Sequence, residues 1–238
     1  PSLWTVERAV EELAAVLSAL AFDRVHLLGQ SWGATVIVRY VLDVPPSEQT
    51  QEVASLILSA PFLSASRWEE DQRTRLAGMS SEVQDAVTEA ERRGEYETSA
   101  YRAATQAYYH QHVCRMERWP ACLERAFKGV GGPVYSIMWG RSELSVTGNL
   151  RDVDLVDRLE KLDVSTLITC GRYDECSPET AALYRDRISG AELVVFEEAS
   201  HLHHLEAAEE YLATVRRFLA SVDKEPRLDD ARMKERGA

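Results

Sequence analysis

The spacing of apolar positions changes several times along the chain, and each change marks an element. Val6, Val10, Leu13, Leu17 and Leu20 recur at helical spacing behind Thr5, whose hydroxyl can cap the first turn. Val25 to Leu28 then reads as a short apolar run, with His26 inside it, suited to a strand covered on both faces. Thr35 to Leu42 continues as a mostly apolar helix, and Val44-Pro45-Pro46-Ser47 breaks the chain. Val53 to Ala60 predicts a second buried strand, ended by Pro61. For about 80 residues afterwards no period-two apolar run appears. Helical spacing takes its place: Val83, Ala86, Val87 and Ala90 behind Ser81 and stopped by Gly94, then a tyrosine-rich helix from about Thr98 to Cys114. Strands return at Ser165 to Cys170 and Ala191 to Phe196, with a helix opened by Ser177-Pro178 between them. Leu205, Ala208, Leu212, Val215 and Leu219 mark a closing helix.

Strands alternating with helices predict an α/β fold around a parallel sheet. Residues 1–63 and 151–222 form its two parts, and residues 64–150 an all-helical insertion. The insertion leaves from the C-terminal end of a strand, where ligands bind in such sheets, so it is expected to act as a cap. Residues 223–238 are charged and carry no apolar face, which predicts a disordered tail. Strand–helix units take roughly 30 residues each. On that count two to three units are expected to be absent ahead of the first strand.

Composition narrows the function. A net charge of −12 over 238 residues argues against nucleic acid and anionic membrane surfaces as partners. It favours an amine over an anion as substrate. No apolar run approaches the ~20 residues that span a bilayer. The four cysteines, Cys114, Cys122, Cys170 and Cys176, form no C-x-x-C pair, and cytoplasmic thiols are the plain reading.

Gly29-Gln30-Ser31-Trp32-Gly33 fits G-x-S-x-G between a predicted strand and a predicted helix, the nucleophile elbow of α/β-hydrolases. Ser31 would stand at the tip of a tight turn. Glycines two before and two after it would remove side chains that collide there. A serine hydroxyl needs a base, and the base needs an acid to fix its tautomer. The expected order is Ser, acid, His. Asp174, directly after the third strand, is the predicted acid, with Glu175 as its local competitor. His201, just past the last strand, is the predicted base, whereas His203 and His204 lead into the final helix. The N–H of Trp32 is the predicted first oxyanion donor. His110 and His112 read as surface or core positions of the helical insertion. No metal and no cofactor is expected, because nothing at ligand spacing joins the histidines.

With Met138-Trp139-Gly140-Arg141-Ser142-Glu143-Leu144 and Gly171-Arg172-Tyr173-Asp174-Glu175, the elbow and Ser200-His201 resemble the proline iminopeptidases, over nearly the whole chain from about Leu3 to Leu219. The resemblance implies a serine enzyme that releases an uncharged N-terminal residue, often proline, from short peptides. It also implies that Glu143 and Glu175 hold the substrate amine; Trp139 or Tyr173 would line the side-chain pocket. The family's His-Gly-Gly-Pro-Gly oxyanion segment has no counterpart here. Two alternatives stand beside this reading: an amino-acid amide or ester hydrolase on the same scaffold, and a non-catalytic fragment.

Overall fold

The computed structural model describes residues 3–142 and 144–224, so Glu143 and the tail from residue 225 lie outside the described residues. Its strands are β1 (Arg24–Gln30), β2 (Glu52–Ser59), β3 (Ser165–Gly171) and β4 (Glu192–Phe196). They pair in parallel in the order β1-β2-β3-β4. The helices are α1 (Val6–Leu20), α2 (Trp32–Asp43), α3 (Ala65–Ala77), α4 (Ser81–Arg93), α5 (Ser99–His112), α6 (Ala121–Gly129), α7 (Gly132–Met138), α8 (Pro178–Arg187), α9 (His203–Glu206) and α10 (Ala208–Val222).

Both faces of the sheet are covered, which explains the unbroken apolar runs. Leu56, Leu58 and Ile168 pack with Val10, Ile37, Val38 and Tyr184 of α1, α2 and α8. The intervening Ile57 and Leu167 point the other way, against Phe218 and Val222 of α10. On the edge strand β1, Leu28 is 50% exposed although its register partner Ile57 is buried. Helices α3 to α7 lie between β2 and β3, and α4 and α5 share a core of Val87, Ala90, Tyr101, Ala104 and Tyr108.

Several boundaries differ from the pattern. The cap residue of α4 is Ser80, not Ser81. The closing helix breaks at Ala207 (φ −123°, ψ 46°), which resets its phase. Tyr211, Thr214, Phe218 and Val222 therefore form its buried stripe, and Leu212 is 48% exposed.

The β1–α2 turn has the strain expected of an elbow. Ser31 sits at φ 54°, ψ −125°, a region costly for a residue with a Cβ. A Cβ on Gly29 would lie 2.4 Å from the carbonyl oxygen of Gly33. A Cβ on Gly33, by contrast, would meet open space, so only the first motif glycine is sterically required. Gly29→Ala is expected to cost about 1–3 kcal/mol or more of stability by overpacking. Gly33→Ala, at a helical position, is expected to be neutral or to gain up to about 1 kcal/mol. Denaturant midpoints of the two variants check this, and equal losses would refute the asymmetry.

Candidate active site

Ser31 is held in its strained conformation by the strand beside it. Its N–H donates to the Ser59 carbonyl (2.9 Å), and its own carbonyl accepts from Phe62 N (3.1 Å) and Ala34 N (3.0 Å). These bonds tie the elbow to the exit of β2. Trp32 opens α2, so its N–H belongs to the first turn, which finds no partner within the helix.

Asp174 follows β3 in a tight loop and is fully buried. Its carboxylate accepts from Gly171 N (3.1 Å), from Cys176 N (3.0 Å) and from His201 Nδ1 (2.8 Å). Three donors offset the cost of burying the charge. Because a carboxylate only accepts, the His201–Asp174 bond places a proton on Nδ1 and fixes the orientation of the ring. Glu175 Oε2 lies 3.9 Å from the same nitrogen, so the direct bond goes to Asp174. The loop can approach β4 this closely because residue 171 is glycine: a Cβ there would lie 2.3 Å from the Ala199 carbonyl oxygen.

Ser31, Trp32, His201 and Glu175 line one cavity of about 420 Å³, together with Gln30, Trp68, Tyr109, Val113, Tyr135 and Trp139. Glu175 is 2% exposed. Trp139 packs its ring 5.1 Å from Phe62 and 5.4 Å from Trp68, forming an aromatic wall. A smaller chamber of about 170 Å³ adjoins it, sharing Trp32, Val130, Tyr135 and Trp139 and adding Met138 and Leu150. Tyr173 is not among the lining residues. Its N–H bonds Ala199 O, its carbonyl accepts from His112, and its ring lies 3.7 Å beneath the Arg115 guanidinium, which turns it away from the cavity.

The remaining histidines are structural in their contacts. His203 is fully buried, stacked on Phe196, with Nε2 on Ser59 Oγ (3.1 Å) and Thr169 Oγ1 (2.9 Å). His26 bridges Ser55 Oγ (2.7 Å) and Asp223 (3.3 Å). Burial holds both His112 and His203 down to about 4, and lowers His204 too. Among the described residues no three His, Cys, Asp or Glu side chains converge as a metal site requires. No described helix is long and apolar enough to cross a membrane. Trp68, Gln72, Arg75 and Tyr135 belong to no motif in the sequence. Trp68 alone carried a signal, as a large apolar residue inside a charged stretch.

A parallel sheet with a strand–serine–helix elbow, and a bonded histidine–aspartate pair on loops after β3 and β4, defines an α/β-hydrolase. Residues 2–208 match the family model described as the alpha/beta hydrolase fold. A proline iminopeptidase of Heyndrickxia coagulans is 38% identical over 222 residues, covering 93% of this chain and 75% of the relative. The crystal structure of proline iminopeptidase from Mycobacterium smegmatis superposes with a TM-score of 0.84 at 32% identity, over 93% of this chain and 73% of that one. The crystal structure of VinJ gives 0.86 at 29% identity, over 93% and 74%. The chain belongs to the proline iminopeptidase family.

The buried imidazoles give stability a pH dependence. Folded values near 4, against about 6.5 when unfolded, mean that the unfolded chain binds the protons more readily. Stability is thus complete above pH 6.5 and declines as the pH falls toward 4. Urea midpoints at pH 7 and pH 5 should show the loss, and His203→Gln should make it shallower. An unchanged pH dependence in that variant would sink the assignment.

Proposed function

We propose that this chain is a serine aminopeptidase that releases an uncharged N-terminal residue, proline among them, through an acyl-enzyme. The observation that carries the reading is the 2.8 Å bond from His201 Nδ1 to Asp174, with Ser31, His201 and Glu175 on the wall of one cavity. In the proposed reaction His201 Nε2 takes the Ser31 hydroxyl proton as Oγ attacks the scissile carbonyl. The Trp32 N–H donates to the oxyanion. His201 then returns the proton to the leaving amine, and water completes the cycle by the same steps in reverse.

Selecting a free N-terminus requires a partner for the substrate ammonium, because an unpaired charge in a covered pocket is costly. Glu175, buried at the cavity wall, supplies that carboxylate in this reading. Glu143 is the second partner implied by the resemblance. The aromatic wall of Trp68 and Trp139 offers an apolar surface to the residue being released. Helices α3 to α7 act as the cap over this pocket. The four free thiols are consistent with a cytoplasmic enzyme.

Activity on a prolyl or alanyl arylamide, an amino-acid amide and a simple acyl ester tests the substrate class. The arylamides should turn over fastest; preference for the ester would favour the esterase reading instead. Ser31→Ala should lower turnover by on the order of 10⁴–10⁶. A serine-reactive phosphonate should inhibit, and a chelator should not. Glu175→Gln, and likewise Glu143→Gln, should cost about 2–5 kcal/mol on free-amine substrates. The loss on an uncharged ester should be much smaller, and equal losses on both would overturn the amine assignment.

A further inference from the structure

We propose that Gln72, Arg75 and His112 are positioning residues: from helices α3 and α5 they hold the loop Arg172–Glu175 and, through it, the Asp174–His201 pair. The inference rests on the roles given above to Asp174 and His201. Each carbonyl of that loop accepts a hydrogen bond from one of these side chains. Arg75 Nη2 donates to Arg172 O (3.2 Å), His112 Nδ1 to Tyr173 O (2.8 Å), Arg75 Nε to Asp174 O (3.0 Å) and Gln72 Nε2 to Glu175 O (3.0 Å). Surface loops ordinarily satisfy such carbonyls with water or with their own turn. Here the helical insertion satisfies all of them.

The donors are themselves fixed. Gln72 is fully buried, and its Oε1 accepts from the Tyr108 hydroxyl of α5, which sets the orientation of its amide. The bonding also runs in the other direction. His201 N donates to His112 O (3.1 Å) and Leu202 N to Val113 O (2.9 Å), so the end of α5 grips the base loop as well. One pair of helices thus bonds the main chain of both the acid loop and the base loop. The same helices carry Trp68 and Tyr109 into the cavity. A catalytic constellation has to be held within about 10–20° of its working geometry. A clamp on consecutive carbonyls fixes the direction of the Asp174 side chain more tightly than apolar packing would.

The test uses the full chain with Arg75→Met, Gln72→Leu and Arg75→Lys. Circular dichroism and melting confirm that each variant folds. Two readouts follow: the ring ¹⁵N shifts of His201, which report its Nδ1–H bond to Asp174, and the rate at which a fluorophosphonate labels Ser31. Arg75→Met and Gln72→Leu should move the His201 shifts and slow labelling at least about tenfold. Arg75→Lys, which can still reach one carbonyl, should recover part of both. If Arg75→Met does not fold, Arg75→Lys and Gln72→Leu carry the comparison, with an intermediate effect expected of Arg75→Lys. Unchanged His201 shifts in a folded variant overturn the clamp, whatever the labelling rate. A wild-type chain that resists labelling, while its His201 shifts still follow Arg75, supports the clamp and removes the hydrolase reading.

Discussion

The backbone of Ser31 is the constraint from which the rest of the site follows. A non-glycine residue at φ 54° persists only where its surroundings over-determine it. Here the surroundings are the parallel neighbour β2, whose exit accepts from Ser31 N and donates to Ser31 O. That arrangement needs β1 and β2 in register at their C-terminal ends, with Gln30 opposite Ser59. It also needs α2 to start at once, which brings its first turn against the serine and demands glycine at 29. The sheet therefore fixes Ser31, and everything else at the site has to be brought to it.

What is brought to it comes from two distant parts of the chain. The loops after β3 and β4 carry Asp174 and His201, and the helical insertion carries the cavity wall. Burying Asp174 completely is tolerable because two backbone N–H groups and an imidazole N–H converge on it. Gly171 permits that convergence by letting the acid loop pass against the Ala199 carbonyl. Asp71, also buried, accepts from Ser177 N and ties α3 to the start of α8. Burial raises the pKa of its carboxyl, and the Ser177 bond works against that shift. The insertion is thus bonded to the core through polar groups as well as through apolar contacts.

This division explains what was legible in the sequence. Parallel strands covered on both faces leave continuous apolar runs, so β2, β3 and β4 stand out, and the elbow motif marks β1. Ser31, Asp174 and His201 are singled out by their order and their places after strands, and the structure bonds His201 to Asp174 and lines one cavity with Ser31 and His201. Helix α3 left no periodic signal, because its inward face is Ala65, Trp68, Asp71 and Gln72, polar for half its length. Its role depends on partners about a hundred positions away: Gln72 bonds residue 175 and Arg75 bonds residues 172 and 174. No local pattern encodes such contacts. Tyr173 misled for a related reason. Its place in the motif is beside the acid, but adjacent loop residues point in different directions, and its ring found Arg115 instead.

The same alternation gives Asp174 and Glu175 different work. Asp174 spends its acceptor capacity on the loop and on His201, whereas Glu175 reaches the cavity wall with a carboxylate oxygen 3.9 Å from the same imidazole nitrogen. In the proposed reaction, an ionised Glu175 at that distance would stabilise the imidazolium formed when His201 takes the serine proton. An ammonium bound by Glu175 would neutralise part of that field as it docks. The carboxylate would then gain binding energy from the amine while giving up some of its support for the charged base. An uncharged ester leaves that field intact but gains nothing from the carboxylate. On this argument a preference for free amines resides in binding at Glu175, and the bond between Asp174 and His201 serves both kinds of substrate alike.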